Sequence, residues 1–325
     1  MQTMRKIDLS QLQGEVKIPK YTLILCHRNP DPDTLGSAFG LKAILEHYGS
    51  RVRVACCDKT TRLCFITENA DLDYQEDNYE RIIAVDVASP TQLGELSFLS
   101  GRVDLTIDHH AMNTRFSDYY EDLCSACSEI IFELARELNI LSELPKHFFE
   151  SVYAGISGDT GCFKYSNTTK RTMEFGAEII SYGIDFAEIN RLIFDTKTLG
   201  EIKGQELAYK NVKLLCGGKL AIVLFTKQMR EDNGISDEDI GDIVNSIRSI
   251  EGVMVAVSIK QATNDENKYS ISSRSNCEAD VSKACAKIGG GGHIRAAGCE
   301  INKPLNEAVD ILLDTIKRVI PRITQ

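Results

Sequence analysis

Apolar residues follow two rhythms along the first part of this chain. Residues 21–25, Y-T-L-I-L, are a short run of β-formers, and residues 38–48 carry apolar side chains at helical spacing. Residues 51–57, R-V-R-V-A-C-C, read as a second strand and 60–68 as a short helix. Residues 81–87, R-I-I-A-V-D-V, are nearly all apolar, as in a strand buried on both faces. Residues 103–108, V-D-L-T-I-D, repeat that form. Helical spacing returns over 125–139, 145–155, 169–182 and 185–195. A glycine-rich turn, 155–161, is expected to end the second of these helices. Strands alternating with helices predict an α/β fold, a mainly parallel sheet with helices on both faces.

The pattern changes after residue 195. Residues 196–215 are more polar and helical in spacing, and the domain boundary is expected there as a linker. Beyond it, 219–226, 253–261 and 268–274 read as strands, with helices at 237–250, 279–288 and 304–319. A run of four glycines and a histidine, 289–293, reads as a loop, with a small-residue turn at 296–298. The expected organisation is a catalytic domain over 1–195 and a smaller α+β domain over 216–325.

Polar residues interrupt the apolar runs at one kind of place. Residues 26–37, C-H-R-N-P-D-P-D-T-L-G-S, form a strand-to-helix turn that projects His27, Asp31 and Asp33. Asp86 closes the third run, Asp108-His109-His110 the fourth, and Asp159 lies in the glycine-rich turn. In a parallel sheet these groups converge on the carboxyl edge. The plainer alternative is a polar loop in which Asp33 caps a helix and the prolines stiffen a turn. Imidazole mixed with carboxylates suits manganese, zinc, iron or cobalt better than calcium. So many carboxylates repel one another unless divalent cations lie among them. The set is too large for one ion that keeps positions open, and about right for two ions sharing a bridging carboxylate.

Composition narrows the picture. The chain has 325 residues, room for two domains, and a net charge of −10. That charge argues against coating long nucleic acid but leaves small anionic substrates open, because metals reverse the field inside a site. No apolar run approaches a membrane span, and residues 1–20 lack the apolar core of a signal peptide, so no membrane partner and a cytoplasmic protein are expected. The 11 cysteines are an odd, scattered set that suits reduced thiols. Cys124 and Cys127 make a C-x-x-C without the second pair that a structural zinc site needs.

The D-H-H at 108–110 and the H-x-N-P-D-x-D-x-x-G-S at 27–37 recur with V-D-V-A-S at 85–89, G-D-T-G at 158–161, S-S-R-S at 272–275 and G-G-G-G-H-x-x-A-A-G at 289–298. Together they resemble the DHH phosphoesterases that carry a DHH-associated C-terminal domain. The nearest likeness is to stand-alone oligoribonucleases (nanoRNases) that also dephosphorylate 3′-phosphoadenosine 5′-phosphate, pAp. The resemblance implies two Mn²⁺ ions, one held by His27, Asp31 and Asp86, the other by Asp33, Asp86, His109 and Asp159. It places Asp108 behind the ligands, orienting a histidine, and His110 against the substrate phosphate, as the catalytic pair. It assigns phosphate and nucleotide binding to Arg274, Gly290, Gly291, Gly292 and His293. Asn113 and Arg115, just past D-H-H, are expected to reach a cleft between the domains.

The implied reaction is hydrolysis of very short oligoribonucleotides to nucleoside 5′-monophosphates, and of pAp to AMP. Short RNA, dinucleotides and pAp are the expected partners, and a homodimer is left open. The nearest rival is a phosphodiesterase for cyclic di-AMP or pApA. A RecJ-like single-strand exonuclease would want a basic groove and an extra oligonucleotide-binding domain. A family II pyrophosphatase or a polyphosphatase would share the metal motifs without the nucleotide-type C-terminal domain. A non-catalytic nucleotide sensor would not need the full ligand set.

Overall fold

The computed structural model describes residues 4–58, 63–110, 114–241, 243–276 and 279–323. The chain divides into two compact units, Met1–Thr196 and Lys197–Gln325. The first holds five strands: β1 (Tyr21–Leu25), β2 (Arg51–Ala55), β3 (Arg81–Val85), β4 (Leu105–Asp108) and β5 (Asp118–Glu121). They pair in the order β2-β1-β3-β4-β5, every pairing parallel. Leu25 pairs with Ala84 and Val85 with Ile107, so the carboxyl ends of β1, β3 and β4 lie side by side. All five residues of β3 are buried, as its apolar run predicts.

Among the described residues, four elements of this unit had no counterpart in the apolar pattern: β5, the helix Leu9–Val16 and the 3₁₀ segments Pro90–Arg102 and Leu141–Glu143. Strand β5 reads D-Y-Y-E and is only partly buried at the sheet edge, so it shows no apolar run. One expectation is corrected. The helix over 145–155 does not stop in a glycine-rich turn but runs through Lys146–Asp159, with Gly155 and Gly158 inside it. Its glycines serve packing. A Cβ on Gly36 would lie 2.4 Å from the Ser151 carbonyl oxygen, and one on Gly155 only 1.9 Å from Ser128 Oγ. The helices Pro32–His47 and Lys146–Asp159 therefore meet backbone to backbone.

The second unit carries β6 (Lys213–Leu215), β7 (Leu220–Phe225), β8 (Val255–Gln261), β9 (Lys268–Ser275), β10 (Gly291–His293) and β11 (Ala296–Asn302). Their order is β10-β11-β9-β8-β7-β6, with only β7 and β8 parallel. Residues 196–215 are helical as their spacing predicts, and the two units divide between Thr196 and Lys197. The segment forms the helix Leu199–Asn211, with Gly204 and Ala208 buried, and the edge strand β6. The glycine run is a loop only over its first two residues, Gly289 and Gly290. Gly291–His293 is an edge strand, and 296–298, expected as a turn, begin β11. A Cβ on Gly290 would lie 2.1 Å from the Gly298 carbonyl oxygen and one on Gly292 2.5 Å from that of Ala296. Glycine lets this strand lie against its neighbour's backbone, which a reading of glycine as a loop former cannot anticipate. Among the described residues, no helix is long and apolar enough to cross a membrane.

Candidate metal centre

Strand ends deliver the acids and imidazoles expected of them. After β1 the chain turns into the helix Pro32–His47, whose N-cap is Asp31, its Oδ1 accepting the amides of Asp33 and Thr34 at 3.0 Å each. The plainer alternative, with Asp33 as the cap of this helix, does not hold, since Asp31 fills that role. Asp33 is fully buried and receives the N-terminus of another helix, Cys127–Glu137. The Cys127 amide donates to its Oδ2 at 2.6 Å and the Ser128 amide to its Oδ1 at 2.9 Å. A carboxylate there meets the positive end of the helix dipole. Asp86 follows β3 in the left-handed region, φ +57°, a backbone conformation that non-glycine residues rarely adopt. Asp108 ends β4, and His109 and His110 follow it. Asp159 closes the helix Lys146–Asp159.

These residues come together in three overlapping groups able to hold a cation: His27, Asp31 and Asp86; Asp33, His109 and Asp159; Asp86, His109 and His110. His27 Nε2 stands 3.4 Å from Asp86 Oδ2 and 3.6 Å from Asp31 Oδ1. His109 Nε2 stands 3.4 Å from Asp86 Oδ1, 3.5 Å from Asp159 Oδ2 and 3.8 Å from Asp33 Oδ2. Asp86 thus belongs to both sides, one oxygen toward each histidine.

The other ring nitrogens are committed. His27 Nδ1 donates to the Arg28 carbonyl at 2.8 Å and His109 Nδ1 to the Cys124 carbonyl at 3.2 Å. A carbonyl can only accept, so Nδ1 carries a proton and Nε2 is the nitrogen turned to the carboxylates, able to ligate a cation once it gives up its own proton. That outer hydrogen bond is the usual support of a metal-ligating histidine. His110 differs: its Nδ1, 3.6 Å from Asp86, bonds Asp108 Oδ1 at 2.7 Å. The same Asp108 oxygen accepts the His109 amide at 2.9 Å.

The electrostatics of the set suit a bound cation. Among the described residues, no Lys or Arg pairs with Asp31, Asp33, Asp86 or Asp159; their ion-pair partners are histidines. Burial, helped by Asp86, pushes the Asp33 carboxyl up to about 6. Burial, then Asp33, raises Asp159 well above the carboxylate range. Burial works against the charged form of Asp86 too, but His109 and His27 outweigh it and hold Asp86 well below that range. Burial lowers His27 and His109, yet the surrounding carboxylates raise both well above the usual histidine value. Asp86 Oδ1 is buried with no hydrogen-bond partner among the described residues. A buried carboxylate oxygen without a hydrogen bond, beside imidazole nitrogens that can exchange a proton for a metal, fits a divalent cation.

The second unit places its candidates in one row. Arg274 in β9 pairs with Ala296 in β11, and Ala296 with His293 in β10. Arg274 donates to the Ser273 carbonyl at 3.1 Å. Gly291 pairs with Gly298 and Gly292 with Ala297. In the first unit, Arg115 forms an ion pair with Glu121 and lies over the Tyr119 ring, so its guanidinium is engaged at the edge strand. Asn113 lies outside the described residues. Sequence reasoning missed the backbone that supports the site: the Cys124 carbonyl and the Cys127 and Ser128 amides. The C-x-x-C marked this bend, but its backbone matters there and not its thiols.

Residues 21–156 match the DHH family, N-terminal domain, and residues 217–321 the DHHA1 domain. The chain belongs to the DHH family. It is similar to the bifunctional oligoribonuclease and PAP phosphatase NrnA of Bacillus subtilis, 29% identical over 303 residues, covering 91% of this chain and 95% of that one. The protein of the same name from Thermus thermophilus is 29% identical over 309 residues, 92% of this chain and 90% of that one. In fold it is similar to an exopolyphosphatase-related protein from Bacteroides fragilis, with a TM-score of 0.88 at 23% identity over 98% of this chain and 97% of that one.

Proposed function

We propose that this protein is a metal-dependent phosphoesterase that hydrolyses short oligoribonucleotides to nucleoside 5′-monophosphates and pAp to AMP. The observation that carries this reading is Asp86, a buried carboxylate with one oxygen toward His27 and the other toward His109. That is where a bridging ligand stands between two cations. We assign one cation to His27, Asp31 and Asp86, and the other to Asp33, Asp86, His109 and Asp159, with Mn²⁺ as the resident ion. Such a pair activates water and neutralises oxyanion charge in in-line phosphoryl displacement. The names of the similar proteins support the two substrate classes.

The chain's own residues do the rest. Asp108 holds His110 by Nδ1, which leaves Nε2 to meet a substrate phosphate oxygen. The bonds from Nδ1 of His27 and His109 fix the tautomers that keep Nε2 on the carboxylate side. We assign Arg274 to a substrate phosphate, which a guanidinium grips as a fork. Gly290, Gly291, Gly292 and His293 are assigned to the phosphate and nucleoside. A net charge of −10 favours short substrates, since further phosphates gain no basic track. The described cysteines are all free, which supports a reducing cytoplasm.

A substrate panel with Mn²⁺ tests the reading: pAp, pApA, cyclic di-AMP, RNA of two to five nucleotides, a long single strand, and pyrophosphate. Turnover of pAp and the shortest RNAs is expected, falling steeply with length. Preferred turnover of cyclic di-AMP or pApA, equal rates on the long strand, or pyrophosphate as the best substrate would each replace the proposal with the corresponding rival. No turnover of any substrate would leave a nucleotide sensor as the better reading.

A further inference from the structure

One side chain ties together two segments that carry the metal-ligand candidates, and it lies in none of the motifs. Asn167 Nδ2 donates to the Ser125 carbonyl at 3.2 Å and to the Asp159 carbonyl at 3.1 Å. Ser125 Oγ donates back to the Asn167 carbonyl at 2.6 Å. Two carbonyl acceptors can be served only by the NH₂ end, so the orientation of this amide is dictated by chemistry.

Each tie reaches a ligand. Asp159 ends the helix Lys146–Asp159, and its carbonyl is one of those a helix leaves without an internal partner. Ser125 sits in the bend between Cys124, whose carbonyl holds His109 Nδ1, and Cys127 and Ser128, whose amides hold Asp33. One amide group thus links the backbone behind Asp159, His109 and Asp33, which together form one of the three ligand groups. His27, Asp31 and Asp86 are held by other means: the Arg28 carbonyl, the helix cap and the turn after β3.

We propose that Asn167 is a positioning residue for one cation of the pair. It sets the spacing of Asp33, His109 and Asp159, and through it the affinity of the ion they hold, while the ion at His27 and Asp31 is indifferent to it. The proposal rests on the two-cation reading above. Asn167 is exposed, so changing it removes no core packing.

The test is Mn²⁺ binding to the full chain by calorimetry and electron paramagnetic resonance, with thermal unfolding of the metal-free protein alongside. Asn167→Asp keeps the shape but turns acceptors toward two carbonyls; Asn167→Ala deletes the group. The parent should take up two ions whose spins couple through the shared carboxylate. Both variants should keep one site at parental affinity and lose roughly 10–100-fold at the other, the range for removing an outer partner of a metal ligand. Their spectra should shift to the uncoupled six-line signal of single manganese ions, with Asn167→Asp the worse of the two. Metal-free melting should stay within about 5 °C of the parent, as befits the loss of exposed hydrogen bonds. Two full-affinity, coupled ions in both variants would overturn the proposal. So would equal weakening of both sites with a large fall in melting temperature, which would make Asn167 a general brace. A parent that binds a single ion would overturn the two-cation reading itself, a result visible before any variant is made.

Discussion

Gly155 and Gly291 both stand in glycine-rich motifs, and their surroundings differ completely. A Cβ on Gly155 would run into Ser128 Oγ at 1.9 Å and Asp33 Oδ1 at 2.8 Å. A Cβ on Gly291 would meet nothing within 4 Å, and its backbone is not left-handed. In the first unit glycine lets helices close around buried carboxylates, so the position of a ligand follows from packing. In the second unit Gly290 and Gly292 are needed against β11, but Gly291 is not required by its neighbours. A glycine without a packing reason is a place where another molecule can approach the backbone. The candidate metal ligands are held by the core, whereas Gly291, Gly292 and His293, proposed to meet substrate, sit on the edge strand β10, with Arg274 two strands in on β9.

The sharpest way to break this division is at Asp86. Asp86→Ala removes the carboxylate shared by both histidine groups, so turnover should fall by at least about 10³-fold and bound manganese should drop. Metal analysis and steady-state rates equal to the parent's would refute the shared-ligand assignment. Arg274→Ala should act on the other side of the comparison. Its manganese content and fold should stay intact, while kcat/KM on pAp and dinucleotides falls on the order of 10²-fold. Bis-p-nitrophenyl phosphate, which offers no nucleotide, should be affected much less. If both substrates slow equally, Arg274 acts on the chemical step.

Smaller effects sharpen the contrast. Gly155→Ala should cost about 1–3 kcal/mol or more by overpacking against Ser128 and Asp33, read as a lower melting temperature. Gly291→Ala should change stability by less than about 0.5 kcal/mol yet raise KM for pAp. If Gly291→Ala melts early or leaves KM untouched, that strand is structural only. The smallest effect is in the pH dependence of the metal-free protein. Asp33, Asp159, His27 and His109 all bind their protons more tightly folded than unfolded. Their stabilising contribution is therefore full at low pH and lost as pH rises through the folded values, about 6 for Asp33. Asp86 runs the other way, its contribution present above the usual carboxylate value and lost only in strong acid. Metal-free protein should thus melt higher at pH 6 than at pH 8, and saturating Mn²⁺ should flatten or invert that slope. An unchanged slope with metal would mean that the cation does not bind among these groups.

Much of this was legible in the order of residues alone. The buried run of β3, the strand-to-helix turn at His27 and the acids at successive strand ends follow from side-chain period and from parallel-sheet geometry. Those signals are local, so the chain itself prints them. Elements whose burial depends on distant neighbours were illegible: β5, with its polar D-Y-Y-E, and the glycines of Lys146–Asp159 and Gly291–His293, which look like loop formers until the backbone beside them is known. The tertiary structure alone decided that Asp31 caps its helix while Asp33 takes another helix's amides. It alone decided that Asp86 faces two histidines, and that Asn167 spans Ser125 and Asp159. Each of these is a hydrogen bond or close charge contact between residues far apart in sequence or across a turn, and a distance of about 3 Å is set by packing that no residue period encodes.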